Sequence, residues 1–147
     1  MSRCLELARK GMGNVAPNPM VGCVIVYKDR IIGEGYHAAN GEAHAEVNAI
    51  RDACSGVLNH HLTGAVIYTN FEPCPMCLAA IYWSDIRTFY FSAGRSDAEH
   101  AGFMDKHLYR EVSLPPESRE IKSTRIELDE MTGLLDEWDR MEGKILY

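Results

Sequence analysis

The sequence predicts a three-layer α/β/α sandwich built on one five-stranded mixed sheet, with helices covering both faces. Three observations predict it. Helical and extended patterns alternate along the chain in the order α-β-β-α-β-α-β-α-β-α. The first two extended segments are separated only by the turn Lys28-Asp29-Arg30, as in a hairpin. No repeat, linker or low-complexity stretch divides the 147 residues, so residues 1–147 read as one domain with room for a real core.

Taken in order, residues 5–10 form a short amphipathic helix that stops at Gly11 and Gly13. Residues 14–20 are a loop rich in Pro and Asn. Residues 21–27 are a buried strand and residues 31–36 its hairpin partner, in which Gly33 and Gly35 mark a bulge or a close approach to ligand. Residues 44–54 are a helix with Val47, Ile50 and Cys54 on one face. A strand over 65–69 leads through the loop Asn70-Phe71-Glu72 into a helix over 75–83, and 86–92 is a further strand. Residues 103–112 read as a helix ended by Leu114-Pro115-Pro116, 124–128 as a fifth strand, and 134–141 as a last helix.

Composition narrows the class. Hydrophobic content of 46% and charged content of 24% suit an ordinary soluble domain. No apolar run reaches membrane-spanning length, and Met1-Ser2-Arg3-Cys4 has no signal pattern, so a cytoplasmic protein is expected. An odd count of five cysteines argues against a disulfide framework; Cys4, Cys23 and Cys54 read as small buried hydrophobes. A net charge of −6 is a poor footprint for gripping a phosphate backbone, which argues for a small-molecule substrate over nucleic acid.

The chemistry is concentrated in His44-Ala45-Glu46 and Pro73-Cys74-Pro75-Met76-Cys77. A catalytic zinc takes three protein ligands and keeps one position open. His44, Cys74 and Cys77 supply three, and Glu46 supplies an acid/base carboxylate two residues from the histidine. Cys74 and Cys77 are three apart and share a face at the start of a helix, where Pro75 suits the first turn. The partial positive charge of a helix N-terminus favours thiolate over thiol. The metal is therefore expected between two helix N-termini, one near His44 and one near Pro75, with one Zn²⁺ per chain. A C-x-x-C alone also fits a redox pair, or half of a structural zinc site with His37 as fourth donor. Its conjunction with H-x-E favours a catalytic centre that displaces an amino group with water.

These two motifs resemble those of the cytidine deaminase-like superfamily. A wider likeness, through Ala43 to Val47, Glu72 to Leu78, Ala80 to Trp83, Ala101-Gly102-Phe103, Asp105, 115–119 and Tyr147, is to bacterial guanine deaminases. That resemblance implies the cytidine deaminase-like fold and zinc-dependent deamination of guanine or a related aminated heterocycle. It implies Asp105 as a second proton carrier at the departing amino group. It also implies a homodimer that exchanges the segment from about 131 to 147, with Tyr147 closing the partner's pocket. Leu134, Leu135 and Trp138 form an apolar stripe that needs a surface, in keeping with such an exchange.

The N-terminal third departs from this pattern. Residues 16–26 and Gly33-Glu34-Gly35-Tyr36-His37 are similar to the pyrimidine deaminase of riboflavin biosynthesis. That enzyme has a longer insertion between its zinc cysteines, which Cys74-Pro75-Met76-Cys77 lacks. His37 stands where guanine deaminases carry Asn. His37, Asn18, Ala45, Phe71 and Tyr147 are accordingly the expected substrate contacts, and His37 is expected to shift specificity away from simple guanine. His60, His61, His100 and His107 are expected to play no direct part. Trp83 and Tyr82 are expected in the core or on a dimer face.

Overall fold

The computed structural model describes residues 1–103 and 105–144, with Asp105 and Asp129 described by their backbone alone. Tyr147, the expected lid, lies outside the described residues. The chain divides into two compact units, residues 1–113 and 114–147.

The first unit opens with helix α1 (Ser2–Arg9), followed by strands β1 (Gly22–Tyr27) and β2 (Arg30–Tyr36). Lys28 and Asp29 both take positive φ (48° and 61°), which makes the two-residue hairpin turn that matches strand twist. Helix α2 (Ala45–Val57), strand β3 (Val66–Phe71), helix α3 (Pro75–Trp83) and strand β4 (Thr88–Ala93) follow, then the short helix α4 (Arg95–His100) and α5 (Asp105–Ser113). The sheet order is β2-β1-β3-β4. β1 is antiparallel to both β2 and β3, and β3 is parallel to β4, so the sheet is mixed as expected.

β1 has a helix on each face, and its side chains divide by the two-residue period of a strand. Val24 packs with Cys4 and Leu7 of α1, and Val26, Tyr36 and Tyr68 close that layer. Cys23 and Ile25 face the other way, into a core with Ala45, Ala49 and Ala53 of α2, Ile67 of β3 and Ile81 of α3. Three layers result. Cys4 and Cys23 are fully buried, as read from sequence, whereas Cys54 is only partly so.

The sheet has four strands, not five. Residues 124–128, expected as the fifth, form no strand among the described residues, and Ile126 and Leu128 are exposed. The pattern Thr-Arg-Ile-Glu-Leu has the right alternation, but a strand is stabilised by cross-strand partners rather than by its own propensity. The helix expected over 103–112 is α5; a further short helix that was not expected, α4, precedes it, across a turn in which Gly102 adopts φ 89°. In the second unit a 3₁₀ turn (Pro116–Ser118) and helix α6 (Asp129–Arg140) are formed. Leu134, Leu135 and Trp138 on α6 are each about half exposed, at 58%, 54% and 47%.

Gly33 and Gly35 mark an approach of backbone, not of ligand. A Cβ on Gly35 would overlap the carbonyl oxygen of Ala45 and the amide of Ala49, and one on Gly33 would meet the Ala49 carbonyl and Ala53. Ile32 between the facing pairs Ile25–Gly33 and Val26–Ile31 is an extra residue, so the bulge reading also holds. The two glycines let α2 lie directly on β2 and so fix the height of its N-terminus over the sheet. Gly35→Ala is expected to cost about 3 kcal/mol, since the obstructing atoms are backbone and cannot rotate away. Urea unfolding of the variant checks this, and an unchanged midpoint would show that α2 can lift.

Candidate active site

The starts of α2 and α3 carry the metal-binding side chains. His44 is the N-cap of α2 and Cys74 the N-cap of α3, with Pro75 in the first turn. Neither side chain caps its own helix. They turn toward each other instead: His44 Nδ1 lies 3.6 Å from Cys74 Sγ and 3.5 Å from Cys77 Sγ. All three donor atoms lie within 4.8 Å of one another. Zinc–sulfur bonds of about 2.3 Å and a zinc–nitrogen bond of about 2.0 Å at tetrahedral angles require N···S edges of about 3.5 Å. The observed edges meet that requirement.

The ionisation of the sulfurs fits a dication too. The hydrogen bond from Cys77, with help from His44, pulls Cys74 down to about 4 against the cost of its burial. Cys77, facing that sulfur and buried, is pushed well above the ordinary thiol range. The two sulfurs thus resist ionising together. A divalent ion lets both ionise, which is how metal binding releases protons from such sites.

Glu46, in the first turn of α2, is 3% exposed and sits against this cluster. Burial raises its carboxyl above the usual range. Its own backbone N–H, the Cys77 sulfur and the Thr69 hydroxyl act in the opposite direction. Thr69 Oγ1 donates to Glu46 Oε1 at 2.9 Å from the fully buried end of β3. A buried carboxyl tuned by a few hydrogen bonds is suited to taking and returning a proton near neutral pH.

Above these groups lies a cavity of about 300 Å³, at the small end of the range for small-molecule sites. Asn18, His44, Glu46, Phe71, Cys74 and Phe103 are among its walls. Phe71 and Phe103 meet edge to face at 6.3 Å, making an apolar wall beside the metal cluster. Of the expected substrate contacts, Asn18 and Phe71 line this cavity. Ala45 is fully buried in the core under α2. The described backbone puts Asp105 at the first position of α5, whose Leu108 is also at the cavity wall.

His37 stands one layer back. It is 2% exposed, its Nδ1 is 3.3 Å from the Ala43 carbonyl and its Nε2 is 3.2 Å from the Asn18 amide nitrogen. A carbonyl only accepts, so Nδ1 carries the proton and Nε2 accepts from Asn18. The same amide also donates to Asn40 Oδ1 at 3.3 Å. His37 thus holds Asn18, which reaches the cavity, and it is not among the metal donors. His60, His61, His100 and His107 are not in the cavity wall. Tyr82 and Trp83 are exposed at 65% and 63%, so they are not core residues of this chain.

Four contributors to the site were silent in the sequence. Thr69 holds Glu46. Asn70 accepts from the Gly22 amide (2.8 Å) and donates to the Met20 carbonyl (3.0 Å), fixing the loop that carries Asn18. Asn48 donates to the carbonyls of Tyr36 and Ala43, both at 3.0 Å, bracing the segment from His37 to His44. Arg95 binds Glu72 just before the zinc cysteines (2.7 Å). No local pattern marks these residues, because apart from the Asn48–Ala43 bond each contact joins segments a dozen or more positions apart.

Hydrolytic removal of an amino group needs a water-activating metal and a carboxylate to ferry protons, and this fold and site define a zinc-dependent deaminase. The chain belongs to the family of the cytidine and deoxycytidylate deaminase zinc-binding region, which residues 1–93 match. It is 36% identical to the guanine deaminase of Bacillus subtilis strain 168, over 100% of this chain and 96% of that protein. The X-ray structure of guanine deaminase from Bacillus subtilis superposes with a TM-score of 0.88, covering 99% of this chain and 95% of that one. The riboflavin biosynthesis protein RibD of Escherichia coli K12 is 39% identical over 75% of this chain but only 29% of its own length. The likeness to both groups expected from the residues is therefore present. No helix of the described residues is long and apolar enough to cross a membrane.

Loss of a ligand should be read first in the metal. Cys77→Ala is expected to reduce zinc from about one per chain to near zero and to lower the melting temperature, because binding and folding share one free energy. Metal analysis and calorimetry check this, with chelator-treated wild type as a second arm. Zinc retained by the variant, or a chelated wild type that melts unchanged, would count against the ligand set.

Proposed function

We propose that this protein hydrolytically deaminates guanine or a closely related aminated purine-like heterocycle, releasing ammonia. The observation that carries the reading is the buried Glu46 carboxyl against the metal donors, at the base of a small cavity walled by Phe71. Identity to a guanine deaminase along the whole chain supports the choice of base. The zinc supplies a Lewis acid that makes a water nucleophilic at neutral pH. Glu46 takes the water's proton and delivers it to the ring nitrogen beside the carbon under attack. The added hydroxyl then becomes a ring carbonyl and gives up its proton, which Asp105 passes to the amino group so that it leaves as ammonia. Phe71 packs on the ring face, and Asn18, aimed by His37, offers its amide group to the ring edge.

A second reading rests on the Asn18–His37 pair and on the RibD relatives, with an aminopyrimidine as substrate. A panel of guanine, other aminopurines, aminopyrimidines and triazines, scored by ammonia release, separates the two. Glu46→Gln is expected to slow the preferred reaction on the order of 10² to 10⁴-fold while zinc and fold persist. Near-normal turnover in that variant would remove Glu46 from the chemistry.

We further propose a homodimer in which the segment from about 131 to 147 crosses to the partner and Tyr147 lids its pocket. The half-exposed Leu134, Leu135 and Trp138 on α6 support this, since such a stripe is stable only against a surface. Deleting residues 144–147 is expected to lower turnover sharply with zinc retained. Full activity in a protein that sediments as a monomer would refute both the exchange and the lid.

A further inference from the structure

We infer that Tyr109 is a positioning residue that registers helix α5, and with it Asp105, against the zinc loop. The inference rests on the proton-carrying role proposed for Asp105. The Tyr109 hydroxyl donates to the backbone carbonyl of Pro73, which is fully buried immediately before the metal donor Cys74. Its ring lies under the Arg95 guanidinium, 4.0 Å from ring centroid to Arg95 Cζ. Arg95 in turn grips Glu72: Nε donates to Oε1 at 2.8 Å, and the Arg95 backbone N–H donates to Oε2 at 3.1 Å. Residues 72 and 73 are thereby clamped from α4 and α5 together.

Asp105 opens α5 and Tyr109 lies four residues on, one turn or about 6 Å along the axis. Positions four apart share a helix face. The tether is thus placed one turn from Asp105, where it holds the register of α5 against residue 73. The ion pair between Lys106 and Glu99, which also links α5 to α4, is exposed on both sides (3.1 Å) and is weak by comparison. The Tyr109–Pro73 bond satisfies a buried carbonyl, and breaking it leaves that carbonyl without this partner.

The test uses the zinc-loaded full chain as Tyr109→Phe, Asp105→Asn and the double variant, with guanine or the panel base the wild type turns over fastest. Tyr109→Phe keeps the ring under Arg95 and removes only the hydroxyl. It is expected to lower kcat about tenfold to a hundredfold, the scale of a small misplacement of a reacting group, with KM and zinc content unchanged. Amide hydrogen exchange should quicken in the peptide over α5 and stay unchanged over 72–78. In the Asp105→Asn background the same change should slow turnover by no more than about twofold, because groups that act through one another are not additive. Full additivity, loss of zinc, or wild-type turnover in Tyr109→Phe would overturn the inference while leaving Asp105 in place. An Asp105→Asn variant at full speed would instead overturn the role of Asp105, and this inference with it.

Discussion

The confinement of two sulfurs and an imidazole nitrogen within 4.8 Å is the constraint on which the rest depends. Sulfurs held that close push each other's ionisation in opposite directions, Cys74 down and Cys77 up, and a dication relieves the conflict. The fold meets the difficulty by bringing the starts of two helices together. Each contributes unpaired backbone N–H groups and a favourable dipole end, while the N-cap side chains are released from capping to serve as donors. The sheet order makes this possible. β1 and β3 are neighbours, so the helices that precede and follow β3 begin at the same end of the sheet.

Glu46 illustrates how much of the site's chemistry is set by surroundings rather than by residue type. A glutamate in the first turn of a helix would ordinarily be a solvated complement to the dipole. Here burial lifts its carboxyl, and Thr69 and Cys77 hold it without fully offsetting that effect. The same side chain in water would be an anion with little tendency to accept a proton. Thr69 and the glycines under α2 therefore bear on reactivity as directly as on stability.

The elements that form by local pattern were legible. Helix α3 starts at Pro75 and ends at Trp83 as its apolar run and proline require, and the hairpin around Lys28-Asp29 follows from two extended segments separated only by a short polar turn. The donor set was legible because metal chemistry restricts residue type and spacing together. Residues 124–128 were misjudged because their alternation says nothing about whether an edge is available to pair with. His37 was expected to touch substrate; sequence distance from His44 does not reveal that Asn18, nineteen positions away, stands in front of it. Thr69, Asn48 and Arg95 act through tertiary contacts that no single stretch of sequence encodes.

The seat of α2 on Gly33 and Gly35 also bears on the metal site. The helix lies directly on the strand backbone, so His44 at its tip cannot sink closer to the sheet. On the other side, the loop bearing Cys74 is tied by Glu72 to Arg95 and cannot easily retreat either. Thiolate donors disfavour hard cations such as magnesium and calcium. The glycines thus set the position of a metal donor from well away from the atoms that would bind the ion.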